Sequence, residues 1–494
     1  MKTENNLATV HPAGEDALED FTFQFDPGGG RMHLVGCQDN LSAYGGLVAW
    51  DHFLERTGLL ERLAESCPVE RTSPNATPVR DILRAFILNC LVGGQRFAHV
   101  RRLQDDPVIA QLTGVKKGHL CGEDAFRRLC QALDPAQGRR WMAHGEEMLY
   151  HALPANAIAD WDSTVTTRYG RQEDVAVGYN PRKPGRGSHH PLVCAVAGTR
   201  LALHMRWRAG NTVSASQWEE AMEEVWSHPV ARARLKLNRG DIGFGQEKVM
   251  AWHEAEAGRP DYLFKLKLSS GVRRAVARID PSRWQPASSP IPGVEQIAET
   301  EIQLHGWSRK RRAVVVRTVK PAVPGAQEEF WSLSEERVEV YVTNLSAEEV
   351  PGAHVVLLYR QRADAENVFD ELKNQWGFAG FCSRQAVVSE CAARLLLMVY
   401  NLWALFARVT GGGGRHLEAV TSRYELLLVP ARLVISGRQK RVKLAVSGKF
   451  AERLRAAYQR LQRWLSSIAP QLSLSGYRLP NWTLYSPPEL AGST

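Results

Sequence analysis

Apolar positions recur at helical spacing from about Ser42 to Leu133, in GLVAWDHFLERTGLLERLAESC, VRDILRAFILNCLVGG and EDAFRRLCQAL. Short links rich in Pro, Gly or Asn separate them. The pattern predicts a helical N-terminal domain over 35–150, after a flexible polar lead-in over 1–34 that contains DPGGG. Near Ala157 the period changes. AIADWDSTV, PLVCAVAGT and LALHMRWR read as strands. SASQWEEAMEEVW then reads as a helix opening at a Ser cap. ARLKLNRGD (strand), GQEKVMAWHEAEAG (helix) and DYLFKLKLS (strand) follow. The order β-β-β-α-β-α-β predicts an α/β catalytic domain over 151–410. A Pro-rich stretch at 270–335 carries strand-like EIQLHGW and RRAVVVRTV and is expected as a β-rich insertion. VEVYVTNL resumes the strands. The apolar run Leu395–Ala407 falls short of the roughly 20 residues that cross a bilayer and predicts a buried helix. GGGG, a hairpin and the helix KFAERLRAAYQRLQRWLSSI form a small α+β region over 411–494.

The stretch YRQRADAENVFDELK, Tyr359–Lys373, breaks the apolar pattern with Tyr359, Arg362, Glu366 and Lys373. It has no Pro or Gly and is rich in helix formers. On a continuous helix the four fall within about 60° of one another. One acid beside two cations and a phenol suits a metal and a phosphate bound together. A solvated face with one Arg362–Glu366 pair is the competing reading.

Composition narrows the partners. The 494 residues are 44% hydrophobic and 23% charged, as in ordinary globular proteins, and the formal net charge of +9 favours polyanions. Eight scattered cysteines without a CxxC argue against a zinc ribbon and fit free thiols in a reducing cytosol. No secretory signal is visible at the N-terminus.

Asp162 at a predicted strand end, Asp241 just past another and Glu366 on the helix are the acids singled out. Ends of neighbouring parallel strands are where an α/β sheet places its site. Three carboxylates gathered there need cations, and hard oxygen ligands select two Mg²⁺ or Mn²⁺ ions suited to displacement at phosphorus. Asp160 rivals Asp162, because alternate positions share a strand face.

At these residues the chain resembles bacterial insertion-sequence DDE transposases carrying the YREK signature. Asp162-Ser163-Thr164 matches the first-Asp motif, RGDIGF at 239–244 the second, and Tyr359, Arg362, Glu366 and Lys373 the YREK spacing. Tyr169–Glu173 and GYNPRKPGRGSHHPL resemble a run of the thirteen-eighty group, with His189 where Tyr is more usual. The likeness covers roughly 35–410.

The resemblance implies a ribonuclease-H-like core with a β insertion, in which Asp162, Asp241 and Glu366 bind the metals. Tyr359, Arg362 and Lys373 would contact phosphates of double-stranded DNA. It implies cleavage at terminal inverted repeats, joining of 3′-hydroxyls to target DNA, a homodimer on DNA, and a cytoplasmic place beside the nucleoid with no membrane. Two alternatives stay open: a nuclease without strand transfer, and a catalytically silent DNA-binding regulator.

Further DNA contacts are expected from the loop of Arg182, Lys183, Arg186, His189 and His190, and from Arg309, Lys310, Arg311 and Arg312 beside Trp307. Trp307 or Trp331 could stack a base. The turns bearing Arg101, Arg102, Lys116 and Lys117, and the hairpin bearing Arg438, Lys440, Arg441 and Lys443, are weaker candidates; a solvated surface is the bland reading of each.

Overall fold

The computed structural model describes residues 22–25, 32–35, 39–115, 118–287, 295–318, 337–412 and 416–467. Nine strands form one mixed sheet: β1 (Ala157–Ser163), β2 (Leu192–Val196), β3 (Leu201–Arg206), β4 (Leu235–Gly240), β5 (Asp261–Lys265), β6 (Gln285–Pro286), β7 (Glu295–Ile302), β8 (Arg311–Thr318) and β9 (Arg337–Thr343). Their order across the sheet is β6-β7-β8-β9-β5-β4-β1-β2-β3. β4 runs parallel to both β1 and β5, and the other neighbours are antiparallel.

The insertion is therefore part of this sheet. β9 pairs with β5 and with β8, so the segment that separates Asp241 from Glu366 extends the parallel strands sideways. It opens with a helix, Ser270–Ala277, capped by the Ser269 hydroxyl on the Val272 amide.

Alternation along β1 divides its side chains between two layers. Trp161 faces the larger core, under helices Trp218–Trp226, Glu247–Glu254 and Ala386–Gly411. Ile158 faces a smaller core, where Leu237 and Leu263 meet Val355, Val356 and Leu358 of helix Gly352–Arg360.

The N-terminal helices share the larger core. Helix Ala386–Gly411 packs against Leu47–Thr57, Val79–Leu91, Asp124–Gln131, Pro135–Tyr150 and Gly448–Ser466. It is long and apolar enough to cross a membrane by length and composition, yet most of it is buried among these helices. Trp50 lies 5.4 Å from Trp403, and Phe53 lies 5.5 Å from Trp464, tying three distant stretches of chain. The described cysteines are free thiols.

Three expectations are corrected. The lead-in contains an antiparallel pair, Thr22–Phe25 with Met32–Val35. The helix expected from a Ser cap starts later, at Trp218, after Gln217 in the left-handed region at φ 56°. The stretch around the four polar residues is two helices, Gly352–Arg360 and Ala363–Gln375, so the single-wheel geometry does not apply. At the break the Arg362 amide bonds the Tyr359 carbonyl, a tighter turn than an α-helix makes. Burial of the Arg362 side chain accompanies it.

Candidate active site

The parallel register of β1 and β4 builds the site. Arg239 stands opposite Asp160 and Gly240 opposite Trp161. One residue further, both strands release an acid, Asp162 on β1 and Asp241 just past β4. The Asp241 carboxylate is fixed by the Gly243 amide at 2.9 Å, and Asp162 by the Ser163 amide at 2.8 Å. Burial raises the Asp241 pKa, and the Asp162 charge, within electrostatic reach, raises it further.

Arg362 answers that charge. Its guanidinium bonds Asp162 Oδ2 at 2.9 Å and the Trp161 carbonyl at 3.1 Å. Burial works against its proton, but Asp162 and its neighbours hold its pKa above the ordinary value. Its Nε is buried with no hydrogen-bond partner among the described residues. Tyr359 is half-buried beside it, and burial pushes its phenol up to about 12. Lys373 lies within electrostatic reach of Asp162. Burial lowers its pKa, and nearby Arg182 lowers it further.

Glu366 is exposed on helix Ala363–Gln375. It lines a cavity of about 410 Å³ with Tyr359, Arg362, Arg360 and Lys265. That cavity adjoins the acid pair through Arg362, but Glu366 does not close on it. Among the described residues no three His, Cys, Asp or Glu side chains are grouped to hold a metal ion. Arg362 thus lies on Asp162, and Glu366 lines the adjoining cavity.

Asp160 takes another role. It is fully buried, and both its oxygens accept from Arg239, at 2.6 and 2.7 Å. A carboxylate so sealed has no free side for a metal. This pair was legible only once β1 and β4 were set in register.

Other expected contacts separate. Arg311 is buried and bonds Glu247 at 2.5 Å and Glu254 at 2.7 and 2.9 Å, so its guanidinium is spent on structure. It also lies over Trp307, which is half-buried against the core. Arg312 ties Glu299 to the carbonyls of Leu345, Ser346 and Val350. His189 and His190 are buried, not part of a gripping loop. His189 accepts from Arg168 at 3.0 Å and bonds the Glu173 carbonyl at 2.8 Å. Lys183 and Arg186 stay exposed. Trp331, Lys116 and Lys117 lie outside the described residues. Sequence reasoning missed Ser214, whose hydroxyl lies 3.1 Å from that of Ser163; no motif marks it.

Two carboxylates at adjoining parallel strand ends thus lie in one neighbourhood with a phenol and two cations. The sequence profile of the family described as transposase DDE domain group 1 matches residues 32–466. The chain belongs to that family and is a transposase by descent. No curated protein matches it. Among solved structures it is similar to a piggyBac transposase synaptic complex with hairpin DNA. The TM-score is 0.43 at 11% identity, over 86% of this chain and 83% of that one.

Proposed function

We propose that this chain cuts the terminal inverted repeats of an insertion sequence and joins the freed 3′-hydroxyls to target DNA. The observation that carries the reading is the Asp162–Asp241 pair at the ends of parallel β1 and β4, with Arg362 on Asp162. The strand plan supports a ribonuclease-H-like core: β1 to β3 form an antiparallel meander, and β4 and β5 follow in parallel through helical crossovers.

The residues fit a divalent cation. Burial and the Asp162 charge raise the cost of ionising Asp241, and Mg²⁺ or Mn²⁺ would relieve it. Asp162 and Asp241 would hold it, with Glu366 the third ligand from the adjoining cavity. Two such ions, when bound, supply an acidified nucleophile and a stabilised leaving oxygen. The chain's own groups do the rest. Arg362, whose Nε has no hydrogen-bond partner among the described residues, offers a donor to a phosphate oxygen. Lys373 brings a second positive charge and Tyr359 a phenolic donor that stays protonated at neutral pH. The YREK grouping, the assembly of two copies on paired DNA ends and the place beside the nucleoid belong to the same reading.

Two observations favour a second reading. The Arg362–Asp162 ion pair and the outlying Glu366 suit a catalytically silent DNA-binding descendant. The two separate in a strand-transfer assay with a labelled inverted-repeat end and Mg²⁺. The parent is expected to join ends. Asp162→Asn, Asp241→Asn and Glu366→Gln should bind DNA and fail to join. A parent that binds ends but never cleaves, with either Mg²⁺ or Mn²⁺, supports the silent reading.

A further inference from the structure

Directly after β1 the chain builds a small second sheet from Thr166–Thr167, Ala176–Val177 and Gly187–His189. It is rigidly mounted. Arg168 is buried, with its guanidinium on His189 and on the Ala379 carbonyl. Buried Asn180 accepts from the Lys183 amide at 3.1 Å and donates to the Thr167 hydroxyl at 3.0 Å, pinning the basic turn to the strand before Tyr169.

On this mount sits an exposed aromatic ring. Tyr169 is 69% exposed, with the Lys183 ammonium 5.0 Å and the Arg186 guanidinium 5.9 Å from its ring centroid. Lys183 also donates to its hydroxyl. Arg182 in the same turn lies within electrostatic reach of Lys373, and Lys373 within reach of Asp162. An exposed aromatic ring on a rigid base, with cations against it, is the equipment for stacking a base while gripping its phosphates. In a duplex both faces of every base are covered, so the ring can meet a base only where it is unpaired.

We propose that Tyr169 is a stacking platform for an unpaired nucleotide beside the scissile phosphate, with Lys183 and Arg186 holding the flanking backbone. This rests on the DNA-cutting reading above and adds a preference for locally opened DNA. The test uses the full chain and two probes from the DNA flanking its gene. One is a fully paired inverted-repeat duplex; the other is the same duplex with a short single-stranded extension containing 2-aminopurine.

The parent should bind the extended probe more tightly and quench its fluorescence. Tyr169→Ala should lose roughly 10-fold in affinity for the extended probe and lose the quench, with the paired duplex bound as before. Tyr169→Phe should keep both. Equal weakening on both probes would show that Tyr169 only props the basic turn, and unchanged quenching in Tyr169→Ala would show that the base stacks elsewhere; either overturns the proposal. A parent that binds neither probe overturns the DNA reading itself, whatever the variants do.

Discussion

Strand β1 carries two aspartates two residues apart, and the regions around them could hardly differ more. Asp160 sits in the interior, sealed, with each oxygen matched to one guanidinium nitrogen of Arg239. Asp162 sits at the rim, about a quarter exposed, ion-paired to Arg362 and within electrostatic reach of Asp241 and Lys373. A buried ion pair with every site filled fixes structure. An acid pair at the rim keeps part of its charge open to ligands. The same residue type on the same strand face therefore separates into a fastener and a candidate site through its surroundings alone.

Removing Arg239 tests that contrast most severely. Arg239→Ala removes the bidentate partner of the fully buried Asp160 and should cost about 3–5 kcal/mol in urea unfolding. Asp162→Asn should cost far less, within about 1 kcal/mol, while abolishing strand transfer. Equal destabilisation by the two would erase the distinction. Arg311→Ala should resemble the first case, losing about 3 kcal/mol with DNA affinity little changed at fixed folded fraction. A selective loss of DNA binding would instead restore Arg311 as a contact.

Asp241 gives a pH test. Its folded pKa is raised, so between the unfolded and folded values the native state binds more protons, and stability falls as pH rises through that window. Asp241→Asn should remove this slope and leave the thermal midpoint equal or higher at neutral pH. Mg²⁺ or Mn²⁺ should raise the parent's midpoint above the window and lose its effect as pH falls through it. A metal-induced rise that persists in Asp241→Asn would place the ion elsewhere.

The smallest effect belongs to the basic turn. Lys183→Ala should weaken binding of all DNA sequences alike and reduce the salt slope of affinity by about one. No change in the slope would leave Lys183 as a partner of Tyr169 only.

Hydrophobic period and turn residues were enough to place β1 to β5, the helices between them, the buried helix around Leu395–Ala407 and the acids at the strand ends. Local chemistry fixes these: alternation, helical spacing and punctuation by Gly and Pro are properties of short segments. They could not tell Asp160 from Asp162, since both share a face and differ only in what β4 sets beside them. Nor could they show that the helix over Tyr359–Lys373 breaks at Arg362, because the stretch is rich in helix formers without Pro or Gly and the break comes with the buried guanidinium's contacts to Trp161 and Asp162. Arg311 and His189 read as free cations for the same reason, until Glu247, Glu254 and the Glu173 carbonyl were found against them. Segment pattern determined which elements form. Burial and the partners brought by distant strands decided which charges are spent on the fold and which remain for chemistry.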